Sequence, residues 1–375
     1  MSARILYIDD DLDSGRTTLS DFKLVAKEPR DLNSLKQIQY ALSDRNIILM
    51  DYDLHEEIAF FDSYQEPIDG LELLERIEAV IRRKPDNKAR ALAIFSGKTS
   101  DLAQHLGCTD LPFVLAAKAN IDWVFEKGHT KWSFLPGTPQ LLSSLSAALE
   151  RVEGHWADDI EGVETQISDV LGLSNAEGWR AVAHEQIRDA YPPLQSLTRH
   201  NDGTLFVRWL LQVVLPFPGP LIDLRNLAVS LRIQPQALES HWHQIENSEL
   251  RHVIEPYKYT GILNDFMGVR FWRAGIQDLA WELRRRGRGD GSTLSEFVSK
   301  LANVKFEPID TTEPVLTVDC DFRQTDTVVD INEAVQIQPD EWPVGVEMPF
   351  VKLEDVENDS LLKSIVVARD LERVR

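Results

Sequence analysis

Ile5-Leu6-Tyr7-Ile8-Asp9-Asp10-Asp11 is an apolar, β-prone run that stops abruptly in carboxylates. Two later stretches repeat the design, Ile47-Ile48-Leu49-Met50-Asp51 and Ala93-Ile94-Phe95-Ser96. A fourth, Ile121-Asp122-Trp123-Val124-Phe125-Glu126, ends in Lys127. In an open parallel sheet, side chains just past the carboxyl ends of adjacent strands converge on one crevice. The four runs therefore predict three carboxylates, one hydroxyl and one ammonium around a single pocket. That set is suited to a divalent metal and a phosphoryl group.

Around these runs, residues 1–137 alternate short apolar strands (4–8, 22–26, 47–50, 91–95 and 121–125) with helical patterns. The clearest helix is 70–82, where Leu71, Leu74, Ile77 and Ile81 follow the helical period. Strands separated by helices predict an α/β fold, a doubly wound, five-stranded parallel sheet covered on both faces. A loop over 55–69, rich in acidic and aromatic residues, interrupts the pattern beside Asp51.

Residues 138–172 read as a helical connector. Leu142, Leu145, Leu149, Val152, Trp156, Ile160, Val163, Ile167 and Val170 form a near-heptad with one stutter at Ile160. Gly154 and Gly162 weaken it, each by about 1 kcal/mol against Ala. It reads either as one amphipathic helix packed on its own domain or as a link between domains that pairs with a second copy. Residues 173–305 read as a mainly helical output domain holding several tryptophans, and 306–375 as a small acidic, β-rich segment. Within the helical part, 221–246 has the rhythm of a helix-turn-helix, with a tight turn around Arg232-Ile233 and a second helix opening at Pro235.

The chain has 375 residues, 43% of them hydrophobic, and a formal net charge of −21. That is enough for two or three cored domains. The stretch 205–221 is interrupted by Arg208, Gln212 and three prolines, so no membrane span is expected. The N-terminus lacks a secretory pattern, and Cys108 and Cys320 make no metal or disulfide framework, which predicts a cytoplasmic protein. Acidity concentrates in 306–375, with 17 Asp/Glu against 6 Lys/Arg. Such a chain repels phosphate backbones unless basic residues gather on one face. The one dense basic cluster, Arg284-Arg285-Arg286-Gly287-Arg288, is expected to follow a helix over 275–283 as a solvated terminus.

The first 137 residues resemble the receiver domain of bacterial two-component response regulators. Asp9-Asp10 is similar to that family's acidic metal-binding pair, and Asp51 to its phosphoacceptor. Asp69-Gly70-Leu71-Glu72-Leu73-Leu74 resembles the Asp-Gly-x-x-Leu-Leu opening of its third helix. Ser96 and Lys127 occupy its hydroxyl and lysine positions. The resemblance implies a flavodoxin-like fold, magnesium held by Asp9, Asp10 and Asp51, and phosphoryl transfer to Asp51 from a histidine kinase or phosphotransfer protein in a phosphorelay. Departures from the family pattern are the absence of proline soon after Asp51, Gly128 in place of proline after the lysine, and Val124 where a switching aromatic often sits.

A haloacid-dehalogenase-type phosphatase is the rival, since Asp9-x-Asp11 and Asp51-x-Asp53 fit its Asp-x-Asp pattern and Asp158-Asp159 offers a later acidic pair. It leaves one aspartate group idle, and no apolar strand precedes Asp158. Beyond residue 140 no catalytic constellation, Walker loop or Gly-x-Ser-x-Gly elbow stands out, and His241, His243 and His252 lack a nearby ligand partner. The expected protein is therefore a signalling component rather than an enzyme. Its output is expected through a protein partner of the C-terminal region or through homodimerisation. DNA binding by 221–246 is the disfavoured alternative, because 235–247 carries Glu239 and Glu246 and only histidines as cations.

Overall fold

Five short strands, all but β2 largely buried, build the N-terminal sheet: β1 (Arg4–Ile8), β2 (Lys23–Lys27), β3 (Ile47–Met50), β4 (Ala91–Ser96) and β5 (Trp123–Glu126). The computed structural model describes residues 3–32, 34–54, 69–83, 88–128, 131–154, 156–173, 177–319 and 322–374. Residues 55–68 of the expected loop over 55–69, and Cys320, lie outside the described residues. All neighbouring strands pair in parallel, in the order β2-β1-β3-β4-β5. The order reverses between β1 and β3, and at such a switch point the two carboxyl ends open onto a crevice. Parallel strands need crossovers, supplied here by α1 (Leu12–Leu19), α2 (Leu35–Leu42), α3 (Gly70–Arg83), α4 (Thr99–Leu106) and α5 (Pro112–Lys118). The arrangement is compatible with a flavodoxin-like fold. In α3, Leu73, Leu74, Ile77 and Val80 are buried along one face, and Asp69 Oδ1 accepts the N–H groups of Leu71 and Glu72 at its start.

The near-heptad segment is two helices, α6 (Thr138–Val152) and α7 (Ile160–Val170). The chain breaks at Gly154, φ +155°, and restarts where Asp159 Oδ1 accepts the Gly162 N–H at 2.7 Å. Each half is amphipathic by itself, so their apolar positions line up into a heptad without forming one rod. After α8 (Trp179–Asp189), the chain forms α9 (Leu194–His200) and α10 (Gly203–Trp209). Compact unit 1 contains 1–172, 192–212 and 261–268; unit 2 contains 173–191, 213–260 and 269–375. In unit 1, α10 approaches α6 so closely that a Cβ on Gly203 would lie 2.5 Å from the Val152 carbonyl oxygen. Trp123, fully buried on β5, meets Phe266 edge to face at 4.9 Å.

Unit 2 holds β6 (Leu221–Ile222), α11 (Leu224–Ser230), α12 (Pro235–His241), α13 (Glu249–Ile254), β7 (Phe271–Trp272), α14 (Arg273–Gly289) and α15 (Leu294–Ala302). Strands β8 (Pro314–Val318), β9 (Gln324–Asp330), β10 (Ala334–Gln336) and β11 (Phe350–Lys352) make a mixed sheet in the order β10-β11-β8-β9. Two short helices follow, α16 (Leu353–Asn358) and α17 (Ser360–Ser364). The helical core centres on Leu227, Ile233, Leu238, Phe271 and Val298, and a smaller one on Val335, Ile337, Val351 and Val356. Trp242 and Trp272 are buried, whereas Trp281 is 62% exposed. The arginine cluster 284–288 lies inside α14, which runs six residues past the expected end at 283. Among the described residues, no helix is long and apolar enough to cross a membrane.

Candidate functional site

Four strand ends deliver the pocket. Asp9 and Asp10 follow β1, Asp51 follows β3, Ser96 closes β4, and Lys127 follows β5. Backbone pairing keeps the ends level: Asp51 N–H donates to Ile8 O and Lys127 N–H to Ser96 O, both at 3.0 Å. Asp9, Asp51 and Ser96 are buried. All five sequence-predicted residues come together. Lys127 Nζ lies 2.6 Å from Asp9 Oδ2 and 3.1 Å from Asp51 Oδ2. The Ser96 hydroxyl hydrogen-bonds the Asp51 carboxylate. One ligand oxygen each from Asp9, Asp10 and Asp51 lies within 4.8 Å of the others.

The two buried carboxylates are held differently. Burial works to raise the Asp9 carboxyl, but hydrogen bonds from Lys127, Tyr7 and the Asp11 N–H outweigh it and hold it below the ordinary carboxylate range. At Asp51 burial wins and pushes the carboxyl up; the Asp9 charge adds to the rise, while Lys127 and Ser96 oppose it only in part. Asp51 is thus the less compensated and more basic of the pair, which favours it as the nucleophile. Three carboxylates against one ammonium leave an excess of negative charge. An all-oxygen donor set with that excess fits a hard divalent cation such as magnesium, which Asp9, Asp10 and Asp51 would hold.

Several residues beyond these five support the site. Tyr7 donates its hydroxyl to Asp9 Oδ2. The signal was there, since residues two apart on a strand face the same side. Gly15 of α1 makes room for it, because a Cβ there would lie 2.6 Å from the Tyr7 ring. Gly70 is equally constrained: its Cβ would fall 1.8 Å from the Asp51 carbonyl oxygen. At the rim, Lys98 pairs with Asp53, its N–H donates to Ser96 Oγ at 3.2 Å, and the Tyr52 hydroxyl meets His105 Nδ1 at 2.8 Å. These contacts join residues from separate strand ends and helices, which no local pattern announces.

The other candidates fall elsewhere. Asp159 caps α7 and, like Asp158, is exposed. His241 Nδ1 sits 2.9 Å from the Ala237 carbonyl and its ring packs on Phe306. The segment expected to be a helix-turn-helix forms two short helices, α11 and α12, joined by a turn with Arg232 at φ +63°. Its outer side is engaged by the chain itself: Arg225 stands 3.1 Å from Glu239 and 2.8 Å from Asp326 of β9, and Gln236 Nε2 donates to the Asp326 carbonyl at 3.4 Å. Comparison with protein-family models, with curated proteins and with solved structures finds no match to this chain.

Proposed function

We propose that residues 1–137 act as a receiver of the two-component type and that the chain is a phosphorylation-controlled signalling protein, not an enzyme acting on an external substrate. The observation carrying this reading is the Asp51 carboxylate itself. It is buried, raised in basicity, contacted by Lys127 and Ser96, and within 4.8 Å of two further carboxylates. In the reaction an Asp51 Oδ–phosphorus bond forms as the donor's bond to phosphorus breaks. The donor is a phosphohistidine of a kinase or phosphotransfer protein, or a small acyl phosphate, and the leaving imidazole or carboxylate keeps the electron pair. Magnesium, when bound, offsets charge on the phosphoryl oxygens.

Lys127 lies against both Asp9 and Asp51, so it is placed to move from carboxylate to phosphoryl oxygen as the charge at Asp51 grows. Ser96 changes partner in the same event, and Lys127 N–H and Lys98 N–H are both hydrogen-bonded to Ser96. A shift of Ser96 therefore reaches β5 and the start of α4, the route by which phosphorylation alters self-association or partner binding. No observation favours duplex DNA as the output, because Arg225 and Gln236 are engaged by β9.

The test is intact mass after incubation with acetyl phosphate, with and without magnesium. A gain of one phosphoryl group that requires magnesium and Lys127 is expected. Repeated turnover of a generic phosphate ester, with no mass gain, would instead favour the phosphatase.

A further inference from the structure

Trp281, Arg284, Arg285 and Arg288 of α14 are spaced i, i+3, i+4 and i+7, so they share one stripe of the helix. All four are exposed. The Arg285 guanidinium lies over the indole of Trp281, 5.4 Å from the ring centroid. Arg286, off this stripe, pairs with Glu282; among the described residues no carboxylate pairs with the three stripe arginines. Cations near a helix carboxyl terminus meet the dipole favourably, which accounts for the arginines but not for an indole left in water. Nearby, burial and then the Arg284 charge push the Arg232 guanidinium down, and the charges of Glu313 and Asp330 oppose this only in part.

The same chain carries a surface with the opposite character. Glu354, Asp355 and Glu357 of α16 are exposed and make no ion pair among the described residues, and Leu361 of α17 is 64% exposed. Three exposed carboxylates on α16 and an exposed leucine on the helix that follows it complement three guanidiniums and an indole on one stripe. A nucleic-acid duplex fits less well. Its phosphates continue past a patch of this size, and the surrounding chain, at −21, is acidic. At physiological salt, screening over about 8 Å leaves the local charges to decide a contact.

We infer that the Trp281–Arg288 stripe docks α16–α17 of a second copy of the chain. The two faces are different surfaces, so the contact is heterologous and runs head to tail. Trp and Arg dominate the residues that carry binding energy at interfaces. Here Trp281 packs on Leu361 while Arg284, Arg285 and Arg288 meet the acidic helix. The inference does not depend on phosphorylation of Asp51.

Sedimentation velocity on the full chain, across concentration and salt, tests it. Self-association is expected at low salt and should weaken several-fold as salt screens the contact. The pair Arg284→Glu/Arg288→Glu, and separately Glu354→Arg/Glu357→Arg, should each weaken it about tenfold or more. Mixing the two variants should restore association, because each presents the charge the other lacks; a merely unfolded variant could not do this. Trp281→Ser should weaken association with no change in salt dependence. A wild-type chain that stays monomeric throughout, or reversed variants that do not rescue each other, would overturn the inference. So would loss of binding to a duplex DNA probe in Arg284→Glu/Arg288→Glu with self-association intact.

Discussion

The two ends of the N-terminal sheet both bury charge, and they handle it in opposite ways. At the amino ends of the strands, Asp122 is matched. Arg208 Nε of α10 lies 2.7 Å from Asp122 Oδ1, the Leu92 N–H donates to Oδ2 at 2.7 Å, and Arg208 also holds Asn120 Oδ1 at 2.9 Å. Neighbouring contacts close the same end, with Asn46 Nδ2 on Ser146 Oγ and the Arg90 N–H on Thr204 Oγ1. At the carboxyl ends, Asp9 and Asp51 share Lys127, and Asp10 adds a third carboxylate beside them. Balanced buried charge fixes structure, whereas unbalanced buried charge leaves room for a cation and a reacting group. That contrast separates scaffold from candidate site in this domain.

Breaking the balanced end should cost the most stability. Burial pushes the Asp122 carboxyl up, and the pairing with Arg208 opposes this. Removing one partner strands the other in the interior, so Arg208→Met is expected to cost about 3–5 kcal/mol in denaturant unfolding. Asp122→Asn with Arg208→Met should recover much of it; no recovery would mean that the pair is not coupled. At the open end, Gly70→Ala must displace the Asp51 backbone. It should cost about 1–3 kcal/mol, the usual range for an overpacked position, and should also slow phosphoryl uptake at Asp51.

A divalent cation sharpens the contrast further. Magnesium at ten times its dissociation constant should stabilise the wild type by about 1.4 kcal/mol. Asp10→Asn should erase that gain and leave the metal-free unfolding midpoint nearly unchanged, whereas Asp122→Asn should keep the magnesium response. The smallest effect concerns pH. The folded-state Asp51 carboxyl is raised above its unfolded value by burial. Its contribution is therefore full below the ordinary carboxyl range and is lost as pH rises through the folded value. Asp51→Asn removes that loss. The metal-free variant should melt slightly higher than wild type at neutral pH and show no advantage near pH 3, well within reach of scanning calorimetry.

Much of the open end was legible in the sequence, because each candidate group sits directly at the end of an apolar run. Strands β1 and β3 fall at the bounds their patterns predict. Strand β5 starts at Trp123 instead of Ile121, since Asp122 turns its carboxylate to Arg208 and the Leu92 N–H. The balanced end was not legible. Asp122 and Arg208 are separated by 86 residues, and nothing local marks Arg208 as a partner. The break between α6 and α7 was hidden for a related reason. Two separate amphipathic helices, packed on α10 and α9 respectively, reproduce the periodicity of one. In α14, the polar stretch 284–288 concealed a helix that continues because Leu283 and Gly287 remain on its buried face.

The most direct test runs both ends of the sheet side by side. Wild type, Asp51→Asn and Asp122→Asn are incubated with acetyl phosphate and magnesium, and the phosphorylated position is mapped after borohydride reduction of the acyl phosphate. The account predicts one phosphoryl group at residue 51 in wild type and in folded Asp122→Asn, and none in Asp51→Asn. Equal uptake by Asp51→Asn, or no uptake by a wild type that binds magnesium, would contradict it.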